Sequence, residues 1–175
     1  MEGVAQLMLD SAHRLAACGA DFLICPDNTI HQAMEWVAPH SPLPWLHIAA
    51  VTGEEAARLG YRRLGILGTR WLVGSDVYPR ELSALAIEAH SPPPDSVHEV
   101  DRIIMEELVN SVFDTQSTSR LVEVIKGLAD EGCDAVVLGC TELPLVLGDH
   151  NSPLPVLDST RLLAHAALRR ATASD

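Results

Sequence analysis

Gly132-Cys133-Asp134-Ala135-Val136-Val137-Leu138-Gly139-Cys140-Thr141-Glu142 is the stretch on which the reading of the fold turns. The segment 117–131 before it carries apolar residues at helical spacing, and Gly132 ends it. Asp134 to Leu138 is then a short apolar run without alternation, the pattern of a strand buried on both faces of a parallel sheet. Cys140 stands just beyond that strand. Gly19-Ala20-Asp21-Phe22-Leu23-Ile24-Cys25-Pro26-Asp27-Asn28-Thr29 lies on the same stretch without gaps, and Asp27 then falls on Cys140. Each copy is a helix end, a turn, a buried strand and a polar loop. Ligands of open α/β sheets collect beyond the carboxyl ends of strands, so two such ends facing each other make a two-sided site. The repeat alone does not separate this from two unrelated strand-helix units.

The same alternation runs along the rest of the chain. A helix is expected over 3–17, a strand buried on both faces over 22–25, a loop over 26–29 and a helix over 30–37. The Pro-rich stretch 39–44 leads into a strand at 45–48, followed by a helix over 54–59 and a buried strand over 64–67. Gly68-Thr69-Arg70 turns into a further helix, Ser91-Pro92-Pro93-Pro94 is a stiff surface loop, and a helix is expected over 100–112. A strand over 154–157 precedes a terminal helix through Arg169, capped by Ser159 or Thr160. Alternating strands and helices predict an α/β protein with a mostly parallel sheet.

At 175 residues with 47% hydrophobic content, the chain can bury a sizeable core as one domain or two small lobes. A formal net charge of −12 disfavours nonspecific binding to nucleic acid or anionic membranes, whose phosphates it repels. No apolar stretch reaches the roughly 20 residues of a membrane span, and no basic region followed by an apolar run opens the chain; a cytoplasmic location is the expectation. The cysteines, Cys18, Cys25, Cys133 and Cys140, form no CxxC pair and no zinc-type cluster with histidine, which predicts reduced thiols and no metal site.

Leu138-Gly139-Cys140-Thr141-Glu142-Leu143-Pro144 resembles the second catalytic-cysteine motif of the aspartate/glutamate racemase family. Gly65-Ile66-Leu67-Gly68-Thr69-Arg70, the stretch from His98 to Leu108 and Pro155-Val156-Leu157-Asp158-Ser159-Thr160 extend the resemblance in the family's order over nearly the whole chain. Pro26-Asp27-Asn28-Thr29 is similar to the family's first motif, Pro-Cys-Asn-Thr, with Asp27 in place of the cysteine. The resemblance implies two pseudo-symmetric α/β lobes with the active site between them. It assigns residues 1–50 and 154–175 to an incomplete N-terminal lobe and 51–153 to the second. It implies an isomerase that uses no cofactor, acts on a small acidic amino acid and forms a homodimer. Family members also begin with a strand and Gly-rich loop ahead of the helix at 3–17. The expectation is therefore a fragment whose residues 1–50 are less stable than the central lobe.

In the family's two-base racemases one thiolate removes the α-proton and the opposite thiol returns one to the other face. The resemblance thus implies Cys140 and Asp27 as the catalytic pair, with Asn28, Thr29, Thr69 and Thr141 holding the substrate carboxylate and Glu142 beside the thiol. Buried structural thiols are common, but the strand-end position inside this motif favours the catalytic reading of Cys140. Asn28 and Thr29 also suit turn and cap roles, while His31 and His47 read as packed or surface residues with no site role. A carboxylate in water is a weaker base than a thiolate by roughly 4 to 5 pKa units, on the order of 6 kcal/mol, and burial narrows that gap. Cys25, two residues before Asp27, would lie about 6.6 Å deeper along the strand, too deep to substitute easily. The substitution leaves three readings open: an amino-acid racemase or epimerase, a one-thiol decarboxylase or isomerase similar to the arylmalonate decarboxylases, or an inactive ligand-binding homologue.

Overall fold

A computed structural model describes residues 1–173. Its larger sheet is parallel and four-stranded in the order β4-β3-β5-β6, formed by Arg63–Leu67 (β3), Glu88–His90 (β4), Ala135–Leu138 (β5) and Val156–Asp158 (β6). A separate parallel pair joins Leu23–Ile24 (β1) to Trp45–Leu46 (β2), with Leu23 opposite Trp45 and Ile24 opposite Leu46. This is the expected α/β architecture. The helices are α1 (Glu2–Ala17), α2 (Met34–Val37), α3 (Ile48–Leu59), α4 (Arg70–Val73), α5 (Val77–Ser83), α6 (Pro94–Arg102), α7 (Thr115–Asp130) and α8 (Ser159–Thr172). None among the described residues is long and apolar enough to cross a membrane.

The period of the strands sorts the core into two layers. Leu64 and Ile66 of β3 join Ala135 and Val137 of β5 beneath α3 and α5, in a cluster with Leu72, Tyr78 and Leu82. Leu67, Val136 and Leu138 face the other way, onto Val100, Ile103, Leu121, Ile125 and Leu128. Both layers are closed off from water, which is why β3 and β5 read as continuous apolar runs. Gly65 lets α7 pack closely: a Cβ there would stand 2.7 Å from a methyl of Leu128, which would have to shift. A smaller cluster of Ala5, Met8, Ala33, Met34 and Val37 locks α1 onto α2.

Several expectations are corrected. The strand at 22–25 is two residues long with Ile24 exposed, because its sheet has one partner strand and covers one face only. The segment expected as a helix over 30–37 is a 3₁₀ turn at Thr29–Ala33 followed by α2. The strand at 45–48 ends at Leu46, and α3, with His47 as its N-cap, begins at Ile48, six residues before the helix expected at Glu54. β4 had no clear apolar run in the sequence. The expected helix over 100–112 starts at Pro94 and changes character: a π turn spans Ile103–Glu107 and a 3₁₀ turn Leu108–Asn110. Asp158, rather than Ser159 or Thr160, caps α8 by accepting from the Arg161 N–H. The 156–158 strand, expected with the N-terminal lobe, pairs with β5, while α8 packs on α3 and reaches β2.

The internal repeat has a geometric counterpart. Gly19 and Gly132 both sit at φ 86° directly after α1 and α7. The following residue donates back to the last turn in each case, Ala20 to Leu15 O at 3.1 Å and Cys133 to Leu128 O at 3.0 Å. Only glycine takes this left-handed conformation without strain, so the same helix stop feeds β1 and β5.

Candidate active site

The connection from β3 to β4 passes through α4 and α5 on one layer, and the return to β5 passes through α6 and α7 on the other. The carboxyl ends of β3 and β5 therefore flank the topological switch point, where open α/β sheets leave a crevice. Thr69 follows β3 and Cys140 follows β5. Two glycines bring their loops together: a Cβ on Gly139 would stand 2.4 Å from Leu72 and 3.1 Å from the Leu67 carbonyl, and the Gly139 N–H donates to that carbonyl at 2.7 Å.

The loop after β1 closes the crevice from the opposite side. The resulting cavity, of about 210 Å³, is lined by Pro26, Asp27, Asn28, Thr29, Thr69, Ile104, Met105, Val109, Gly139, Cys140, Thr141 and Glu142. All the residues singled out from the sequence, Asp27 and Cys140 with Asn28, Thr29, Thr69, Thr141 and Glu142, thus share one cavity. Cys25 is not among the lining residues, and burial raises its thiol.

Cys140 is partly buried, and its Sγ donates to Glu142 Oε2 at 2.8 Å. Burial and then this hydrogen bond push the thiol up to about 12. For Glu142 burial acts upward, but hydrogen bonds from Cys140 and Thr141 outweigh it and hold the carboxyl below its ordinary value. The pair at neutral pH is therefore a protonated thiol beside a carboxylate. Asp27 Oδ1 accepts from the Ile30 N–H at 3.1 Å, which fixes one oxygen in the turn that starts at Thr29. Thr69 Oγ1 caps α4 by accepting from Leu72 N at 3.4 Å, so its own O–H remains available to a ligand.

Asn28 lines the cavity and is also tied into a buried hydrogen-bonded chain. It is 3% exposed: Tyr78 Oη donates to its Oδ1 at 2.6 Å, and its Nδ2 donates to Ser159 Oγ at 3.0 Å. Ser159 passes the chain on to the Leu138 carbonyl at 2.8 Å. One Nδ2 hydrogen is left for a ligand; the other polar sites tie the Asp27 loop to α5, α8 and the end of β5. His31, four residues beyond Asp27, was given no site role. Its Nδ1 meets the Asp27 carbonyl at 2.7 Å and its Nε2 meets the Ile48 N–H at 3.3 Å. A carbonyl only accepts and an amide only donates, so these partners fix the neutral Nδ1–H tautomer. Burial and the neighbouring His47 lower the His31 pKa to about 4, in keeping with that assignment. Spacing to Asp27 was the available signal for this clamp. Ile104, Met105 and Val109 had no signal, since their place depends on the π turn.

A larger cavity, of about 470 Å³, lies on the outer side of the same loop between α2, β2 and α5, with His31, His47, Trp45 and Arg80 in its wall. It holds none of the expected site residues and lies away from the ends of β3 and β5, so the smaller cavity is taken as the site. Among the described residues no three His, Cys, Asp or Glu side chains converge as a metal site requires.

Comparison with known proteins gives the family and the fold. Residues 1–167 match the family described as Asp/Glu/Hydantoin racemase. The broad specificity amino-acid racemase RacX of Bacillus subtilis is 24% identical over 168 residues, covering 92% of this chain and 69% of that protein. A Yersinia pestis structure, described as a candidate Asp/Glu racemase, superposes with a TM-score of 0.91 at 32% identity, covering 97% of this chain and 74% of the other. An aspartate racemase homologue from Pyrococcus horikoshii superposes with a TM-score of 0.88 at 28% identity, over 98% and 76% of the two chains.

Proposed function

Because the chain belongs to the Asp/Glu/Hydantoin racemase family, we propose that it is an amino-acid racemase or epimerase working by proton transfer at the α-carbon. The observation that carries the proposal is the convergence of Asp27 and Cys140, from two copies of one structural repeat, on a single cavity rimmed by threonine hydroxyls.

In the reaction, the Asp27 carboxylate takes the α-proton and the Cα–H electron pair moves into the substrate carboxylate. The hydroxyls of Thr29 and Thr69, the remaining Nδ2 hydrogen of Asn28 and, once it turns from Glu142, the Thr141 hydroxyl donate to the carboxylate oxygens as charge builds on them. Cys140 delivers its proton to the opposite face of the carbon, which leaves a thiolate, and Glu142 keeps that proton on sulfur until it is needed. Proton exchange with solvent restores the resting pair. No cofactor is required in this scheme, because two side chains account for both proton transfers. A second reading has its own support: a thiol held near pKa 12 is a donor first, which suits a one-thiol isomerase or decarboxylase. Chiral chromatography of single L-amino acids incubated with the chain separates the readings. The D-enantiomer should accumulate, and Cys140→Ser should slow it by about 10²–10⁴-fold, the usual worth of a general acid. Full activity in that variant defeats the assignment.

A further inference from the structure

We infer that the amino acid taken by this cavity carries an uncharged, apolar side chain, in place of the acidic one that the family resemblance implies. The inference rests on the proton-transfer reading above and deepens it. Its basis is the wall of Ile104, Met105 and Val109, which one π turn and the 3₁₀ turn after it present to the cavity. π turns are rare and concentrate at functional sites. This one is fixed from below, with Ile103, Ile104 and Leu108 in the core. Met105 and Val109 remain 43% and 52% exposed, apolar surface that an alkyl side chain would cover.

Charge argues the same way. The cavity already holds two carboxyl groups, Asp27 and Glu142, and a side-chain carboxylate from aspartate or glutamate would add a third against them. The arginines flanking the lining segments are engaged elsewhere. Arg70 lies 3.6 Å from Asp101 and over the Trp71 ring at 4.5 Å, and Arg102 pairs with Glu107 at 2.7 Å and Glu99 at 3.1 Å. At about 210 Å³ the space also suits a compact side chain, being smaller than the about 300–1,000 Å³ of drug-sized sites.

The test is α-deuteration in deuterated water, followed by NMR, for L-alanine, L-valine, L-methionine, L-aspartate, L-glutamate and L-lysine in turn. The apolar substrates should exceed the acidic ones in kcat/KM by about tenfold or more, the scale of one like-charge contact, and should exceed lysine too, whose ammonium would be desolvated against the apolar wall. Met105→Arg and Val109→Lys, both at exposed positions, should move the aspartate-to-methionine ratio toward aspartate by about tenfold. Preference of the unmodified chain for aspartate, glutamate or lysine overturns the inference and leaves the proton-transfer reading standing. So does an unmoved ratio in both variants once circular dichroism shows them folded. Absence of exchange with every amino acid overturns both.

Discussion

Cys140 meets any ligand as a thiol. With the thiol pushed up to about 12, the resting sulfur keeps its proton at neutral pH, so the proposed reaction starts with sulfur as the acid and Asp27 as the base. Asp27→Asn should therefore cut α-proton exchange by about 10²–10⁴-fold, while Asp27→Cys should retain it, since a thiol at that place completes the symmetric pair of the family's motif. Retention of more than about a tenth of the rate by Asp27→Asn would remove Asp27 from the chemistry.

At the level of elements, the two halves of the site are held together by a hydrogen-bonded chain from Tyr78 through Asn28 and Ser159 to the Leu138 carbonyl. Tyr78→Phe leaves the Asn28 Oδ1 buried without a partner and should cost about 1–3 kcal/mol in denaturant unfolding, with a loss of exchange rate as the Asp27 loop loosens. A cost below about 0.5 kcal/mol would show that the chain does not hold the loop. Asn28 and Ser159 lie within the quoted motifs, but Tyr78 does not, and the chain that links them was not legible because it depends on which elements meet. The residues lining the cavity were legible for the opposite reason: Asp27, Thr69 and Cys140 each follow an apolar run, and strand ends are visible in sequence. The π turn was not. It differs from an α-helix by one residue in the turn and keeps the same apolar spacing, so the wall of Met105 and Val109 appeared only with the structure. β4 escaped because Glu88-Ala89-His90 has no apolar signature, as suits an edge strand.

The molecule as a whole joins a doubly covered four-stranded sheet to a two-stranded one, and the alternating class was plain in the sequence because β3 and β5 are buried on both faces. The partition of the terminal strand was not, since pairing partners lie far apart in the chain. Between the two sheets His31 and His47 stack edge to face at 4.5 Å, both held near pKa 4, chiefly by burial. The unfolded chain protonates them near their ordinary 6.5, before the folded one does. The stability they contribute is present above that pH and is lost as pH falls toward 4. Thermal unfolding should show the midpoint dropping across this window, and His47→Phe should roughly halve the slope; an unchanged slope would contradict the assignment.

In the proposed reaction Asp27 and Cys140 act on opposite faces of one carbon. Isotope incorporation at early conversion, starting from a single enantiomer in deuterated water, reads this out. Two acid-base groups place deuterium in the inverted product while the recovered substrate keeps its α-proton. Deuterium accumulating in recovered substrate of retained configuration, with no inverted product, would contradict the account and leave one working face.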